Sequence, residues 1–261
     1  MYYNGDLSDA SYMPPSEIVK PYFGADISFL IVDRFDLSLR YMHGSVEGAD
    51  SLADEKDNKA RNLSFKSNID EVSAVFRYRI FRVMEKRLIN PFVFLGLGYF
   101  WFNPTAEVNG VRYDLQPLGT EGQFIEEGNY EDPYELQSFS LATGFGVFVR
   151  LGHQWALRLE AAPQLTFTDY LDDVSTIFPD STALANTPNG EIAVLASSKR
   201  PKGFPDMGRA RGNADRDDVM VSFGISIVFT PVPKNCRGRL DQRVGYFNKI
   251  KGKAGWWGNS Y

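Results

Sequence analysis

Apolar and polar residues alternate one by one through segment after segment of this chain. That period of two confines it to β-strands whose two faces meet different surroundings. Tyr22 to Val32 sets Phe23, Ala25, Ile27, Phe29 and Ile31 on one face and Tyr22, Gly24, Asp26, Ser28 and Leu30 on the other. After the tight connection Asp33-Arg34, Phe35, Leu37, Leu39 and Tyr41 alternate with Asp36, Ser38, Arg40 and Met42, so the pair reads as a hairpin. The pattern recurs in Glu71 to Ile80, Pro91 to Phe102, Phe139 to Arg150, Trp155 to Thr168 and Val219 to Phe229, making seven strands of membrane-crossing length.

The connections alternate too. They are tight at Asp33-Arg34, Arg82 to Asn90 and Gly152 to Gln154, and long and polar at Ser45 to Ser64, Asn103 to Leu136 and Asp169 to Asp218. Tight turns at one end and long loops at the other describe an up-and-down barrel of the bacterial outer membrane, whose strand number is even. The eighth strand falls to Met1 to Leu7, expected to be the outer half of a first strand whose inner half, with the signal peptide, lies ahead of this numbering. The expected fold class is therefore all-β: an eight-stranded, antiparallel, up-and-down transmembrane β-barrel, OmpA-like, with long extracellular loops and short periplasmic turns. Residues 1–230 form the barrel, truncated in strand one, and 231–261 a periplasmic tail. Pro231 and Pro233 mark the exit, since neither can continue a ladder. In the last long loop, Ile192, Val194, Leu195 and Ala196 predict a short helix over Gly190 to Ser198.

The charged parity carries Asp26, Asp36, Arg40, Glu71, Arg77, Arg79, Arg150, Arg158 and Glu160 together with Gly24, Gly96, Gly98, Gly144, Gly146 and Gly224. Glycine repeated on one side suits a crowded interior whose remaining volume is filled by long charged side chains. Aromatic residues collect near strand ends on the other parity, as girdles at the lipid headgroups do. An eight-stranded barrel is too narrow for an open channel, so the inward charges are expected to form an ion-paired plug.

The whole chain has a formal charge of −5, which argues against a nucleic-acid partner. From Pro231 to Tyr261, however, seven basic residues face one acid, so the tail is +6 and the rest −11. The tail's Arg237, Arg239, Arg243, Tyr246, Phe247, Lys249, Trp256 and Trp257 are the expected docking surface for an acidic periplasmic partner. A single cysteine, Cys236, excludes an internal disulfide framework, and two histidines, His43 and His153, make a histidine-based metal site unexpected. No catalytic residue, cofactor or metal is expected.

Several segments resemble one family. Tyr2-Tyr3-Asn4-Gly5-Asp6-Leu7, Gly44 to Ser51, Pro91 to Phe100 and, most specifically, Thr168-Asp169-Tyr170-Leu171-Asp172-Asp173-Val174-Ser175 are similar to the PorG family. These are outer-membrane barrels of the type IX secretion system in Bacteroidota. Ser222 to Phe229, with Gly224, Ile227 and Phe229, resembles the terminal-strand signal read by the barrel assembly machinery. The resemblance implies an outer-membrane location and a partnership with the periplasmic ring of the lipoprotein PorK/GldK and PorN/GldN. It implies a role in protein secretion and gliding motility, and surrounding outer-membrane lipid.

Two other chemistries compete. His43, Ser45 and Glu47 share one strand face near the outer rim, an arrangement that resembles the outer-membrane lipid A deacylases, in which a histidine activates a serine. An OmpA-like structural barrel without secretion partners is the third class. Asp169, Asp172 and Asp173 could ligate Ca²⁺, but no EF-hand spacing is present, and clustered acids at a strand end more often serve as turn and hydrogen-bond residues.

Overall fold

A computed structural model describes residues 1–7, 18–52, 59, 61–85, 87–201 and 203–231. The strands are β1 (Tyr2–Asn4), β2 (Tyr22–Val32), β3 (Phe35–Ala49), β4 (Ser64–Arg79), β5 (Ile89–Val108), β6 (Val111–Asp114), β7 (Gln137–Arg150), β8 (Trp155–Thr166) and β9 (Val219–Phe229). All pair antiparallel in the order β1-β9-β8-β7-β5-β4-β3-β2, with β6 a short hairpin partner of β5. This is the all-β, up-and-down arrangement that the alternation predicts, with one strand more than expected.

Two connections expected as loops are partly strand. The ladder of β3 with β4 runs to Ala49 opposite Ser64, and β5 continues to Val108, because alternation persists beyond the apolar core of each strand. The segment at the start of the chain contributes only Tyr2–Asn4, paired with Val219 to Val221. The expected helix appears as α2 (Gly190–Ser197), preceded by α1 (Ser181–Ala185). Asp180 caps α1, its Oδ1 accepting the Thr182 and Ala183 amides at 2.8 Å each and so satisfying two of the free first-turn donors.

The sheet curls round one face. Arg158 on β8 and Asp26 on β2 meet at 2.6 Å although four strands separate theirs in the order. Met1 and Lys20 exchange backbone hydrogen bonds of 2.8 and 2.9 Å, bringing the two ends of the order together at the long-loop side. No ladder joins β2 to β9 among the described residues. Glycine permits the tight curvature at β7: a Cβ at Gly144 would stand 2.7 Å from Phe94 Cζ and one at Gly146 2.8 Å from Phe92 Cε1.

From β3 onward burial separates the faces as the parity predicts, whereas β2 is exposed along most of both parities. Phe23, Ile27, Phe29, Leu97, Phe145, Phe223, Ile225 and Ile227 stand exposed on the outer face, Ile225 at 78%. Inside, Val75, Phe92, Phe94, Phe148 and Ala162 form a small apolar cluster. A larger one lies at the long-loop end, where Val46, Ile69, Phe100, Phe102 and Met220 from the strand tops meet Leu171, Val174, Leu184, Ala193 and Ala196. The segment after β8 therefore packs as a cap over the strand ends. No helix among the described residues is long and apolar enough to cross a membrane.

Candidate functional site

The inward parity assembles a network of ion pairs. Arg77 is fully buried; it reaches Asp26 at 2.7 Å, Asp36 at 3.0 Å and the Ser38 hydroxyl at 2.6 Å. Arg158 pairs with Asp26 at 2.6 Å and Glu160 at 3.2 Å, and Arg40 with Glu160 at 2.8 Å. Arg79 pairs with Asp36 at 2.9 Å and stacks over Phe148 at 4.2 Å. Seven of the residues expected inside thus form one connected set: Asp26, Asp36, Arg40, Arg77, Arg79, Arg158 and Glu160. Glu71 is buried apart from it, accepting from Ser140 at 3.1 Å and from Gln164. Arg150, at the end of β7, donates to the Gly152 carbonyl at 2.9 Å instead. Charges of the connected set are tolerated in burial because each finds an opposite partner, whereas Glu71 is met by the neutral donors Ser140 and Gln164 alone.

The second assembly is the cap, and the Thr168 to Ser175 motif is its centre. Asp172 accepts from the Tyr3 hydroxyl at 2.5 Å, the Leu7 amide at 3.1 Å and the Val174 amide at 2.9 Å. Tyr3 also lies 2.9 Å from Asp218, which accepts the Leu171 amide at 3.0 Å. Asp173 takes the Thr120 hydroxyl at 2.5 Å and the Tyr134 hydroxyl at 2.7 Å, and pairs with Arg211 at 3.3 Å. Asp173 has φ of 68°, a left-handed turn conformation that aspartate adopts more readily than most residues. Arg211 also pairs with Glu121 at 2.9 Å, and Glu121 accepts the Ser175 and Thr176 amides at 2.9 and 3.0 Å. Nearby, Arg61 grips Asp50 with two bonds of 2.8 and 2.7 Å and reaches the carbonyls of Asp6 and Arg211. Tyr170 stacks on Tyr134 at 4.4 Å, and Leu171 is fully buried.

Burial governs the acids here. It lifts Asp173 to about 6 against the pull of Arg211, and Asp169 to about 9, reinforced by the charge of Asp172. Asp172 and Asp218 are both raised, first by desolvation. Neither carboxylate oxygen of Asp169 meets a donor in hydrogen-bond geometry, with Ser175 the polar side chain beside it. Among the described residues no group of three or more His, Cys, Asp or Glu side chains is placed to hold a metal ion.

On the outer face, His43 Nδ1 lies 2.8 Å from Asp70 Oδ1, which also accepts the Tyr41 hydroxyl at 2.5 Å. Glu47, expected as the acid beside His43, instead bridges Lys20 and Lys66 at 2.7 and 3.3 Å. Gly224 faces inward beside the Tyr22 hydroxyl, while Ile227 and Phe229 point outward. The tail residues Arg237, Arg239, Arg243, Tyr246, Phe247, Lys249, Trp256 and Trp257, with Cys236, lie outside the described residues.

Sequence reasoning missed Asp218, Glu121, Arg211, Arg61, Asp50 and Asp70. The five cap residues lie outside the strand alternation that singled out the inward charges; Asp70, just before a strand read as starting at Glu71, carried no signal of its own.

The class that fold and site define is a curled antiparallel up-and-down sheet with an ion-paired inner face and a carboxylate-rich cap. A family model described as "Domain of unknown function (DUF6089)" matches residues 1–192, and the chain belongs to that family. No curated protein and no solved structure matches it.

Proposed function

We propose that the chain is an eight-stranded outer-membrane β-barrel that serves, without catalysis of its own, as a component of the type IX secretion and gliding machinery. In this reading it anchors or partners the periplasmic ring of PorK/GldK and PorN/GldN. The strands β2 to β5 and β7 to β9 cross the outer membrane, β1 adds the outer part of the remaining strand, the cap faces outside, and the basic tail is periplasmic.

The observation that carries the reading is the bond of Tyr3 to Asp172. Two segments that separately resemble the PorG family, Tyr2 to Leu7 and Thr168 to Ser175, converge there on one structural unit. The outer face supports a lipid environment: so many exposed Phe, Ile and Leu side chains would be an aggregation surface in water. Tyr99 packs edge-on against Trp101 and Phe139 near the long-loop end, and Trp155 against Phe229 at the tight-turn end, as two aromatic girdles would. The ion pairs that cross the inner face support an anchoring role over a pore.

Affinity purification of the tagged full chain from its own envelope tests the reading. Recovery of the two ring proteins is the expected result, and a barrel recovered without them would leave the structural-barrel and surface-enzyme classes.

A second reading has one specific observation behind it: the His43–Asp70 pair sits on the lipid-facing side with Ser45 two residues along the same face. A lipid A deacylase would need Ser45 as nucleophile. Lipid A acylation unchanged by Ser45→Ala in the host removes it.

A further inference from the structure

Two buried carboxyl groups of the cap contend for one hydroxyl proton. The Tyr3 hydroxyl lies 2.5 Å from Asp172 Oδ2 and 2.9 Å from Asp218 Oδ1, yet a phenol has a single O–H to donate. Both carboxyl side chains are almost wholly buried, so two ionised groups there would leave one short contact between acceptors alone. The remaining donors divide unequally. Asp172 also takes the Leu7 and Val174 amides, which together with Tyr3 suit an ionised carboxylate. Asp218 takes only the Leu171 amide, on its other oxygen.

We infer that Tyr3, Asp172 and Asp218 form a proton-dependent latch, in which a proton on Asp218 Oδ1 is donated to the Tyr3 oxygen while Tyr3 donates on to Asp172. The three residues lie on β1, on the loop leaving β8 and at the entry to β9, so the chain of bonds ties the cap to the sheet at both its ends. Loss of the proton turns the Asp218 donor into an acceptor and breaks the relay at Tyr3.

The surroundings favour holding that proton. Asp169 from the same loop and Asp6 from the N-terminal segment add negative charge. Of the cations near the cluster, Arg61 is committed to Asp50 and Arg211 to Glu121 and Asp173, while Lys199 lines the small cavity beside Asp172. Arg216 acts on Asp6. Burial raises Asp218 in the direction its single amide donor requires; it raises Asp172 as well, there against the Tyr3 and Val174 hydrogen bonds that favour the ionised form.

Hydrogen exchange on the full chain tests the latch through the Leu7, Leu171 and Val174 amides, corrected for the intrinsic base-catalysed rate. Their exchange is expected to speed by about tenfold or more between about pH 6 and about pH 10. In Asp218→Asn the amide N–H supplies the donor at every pH, and the dependence should disappear. Infrared difference spectra of the unmodified protein give a second readout: a protonated-carboxyl C=O band present near neutral pH, lost at high pH and absent in Asp218→Asn. Exchange insensitive to pH, an equal pH response in Asp218→Asn, or no carboxylic-acid band would each overturn the proposal. Restoration of high-pH protection by CaCl₂ would also overturn it, since a cation would then be the bound species.

Discussion

Arg158 on β8 holds Asp26 on β2 at 2.6 Å across the interior of the curled sheet, and Arg77 on β4 reaches the same oxygen at 2.7 Å. One carboxylate thus lies between two guanidinium groups from strands that are not neighbours in the ladder.

Removing that carboxylate leaves both arginines short of a partner in a buried site. Asp26→Asn is expected to lower stability by about 3 kcal/mol, the usual cost of breaking a buried pair on one side. Unfolding of the detergent-refolded protein in urea measures it. Glu85→Gln, which breaks the exposed pair with Arg87, should leave the midpoint unchanged.

Arg211 is a buried cation of the cap, paired with Glu121 and Asp173. Arg211→Met leaves two carboxylates uncompensated and is expected to destabilise the cap by about 3 kcal/mol while the strands stay paired. Limited proteolysis should then cut within 176–210 far faster than in the parent protein. Adding Glu121→Gln and Asp173→Asn to the same chain should recover much of the resistance, because no buried charge then remains unpaired.

Asp169 gives a pH dependence of defined sign. Its carboxyl is raised to about 9 in the fold, so its contribution is full below the ordinary carboxylate pKa of about 4, declines as pH rises and is gone above about 9. Asp169→Asn is therefore expected to raise the melting temperature above about pH 9 and to change it little near pH 5. A melting curve at each pH checks both halves of the statement, and equal effects at the two pH values would contradict it.

Deletion of Pro231 to Tyr261 separates the sheet from the basic tail. The truncated chain is expected to fold and to insert, since β9 ends at Phe229, and to lose co-purification with the ring proteins. Retained recovery would move the docking surface to the tight turns.

Strand positions and the identity of the two faces were legible in single residues: Leu37 and Leu39 alternate with Asp36 and Ser38, and the structure exposes the first set and buries the second. The short helix over Gly190 to Ser197 was legible for the same reason, a local period. The continuation of β3 to Ala49 was not, because Ser45 and Glu47 carry the outward parity on polar side chains at the rim. The Thr168 to Ser175 motif stood out as a pattern, but its partners did not. Tyr3, Thr120, Tyr134, Arg211 and Asp218 come from five separate stretches, and nothing local distinguishes Arg211 from the exposed Arg209 two residues before it.

By itself, then, the sequence determined which backbone segments extend and which side of each is apolar, because those depend on neighbours one or two residues away. Only the tertiary structure decided which charges neutralise one another and which acids keep a proton. Coulombic partnership and desolvation depend on distances of a few ångströms between residues as far apart in the chain as Tyr3 and Asp218.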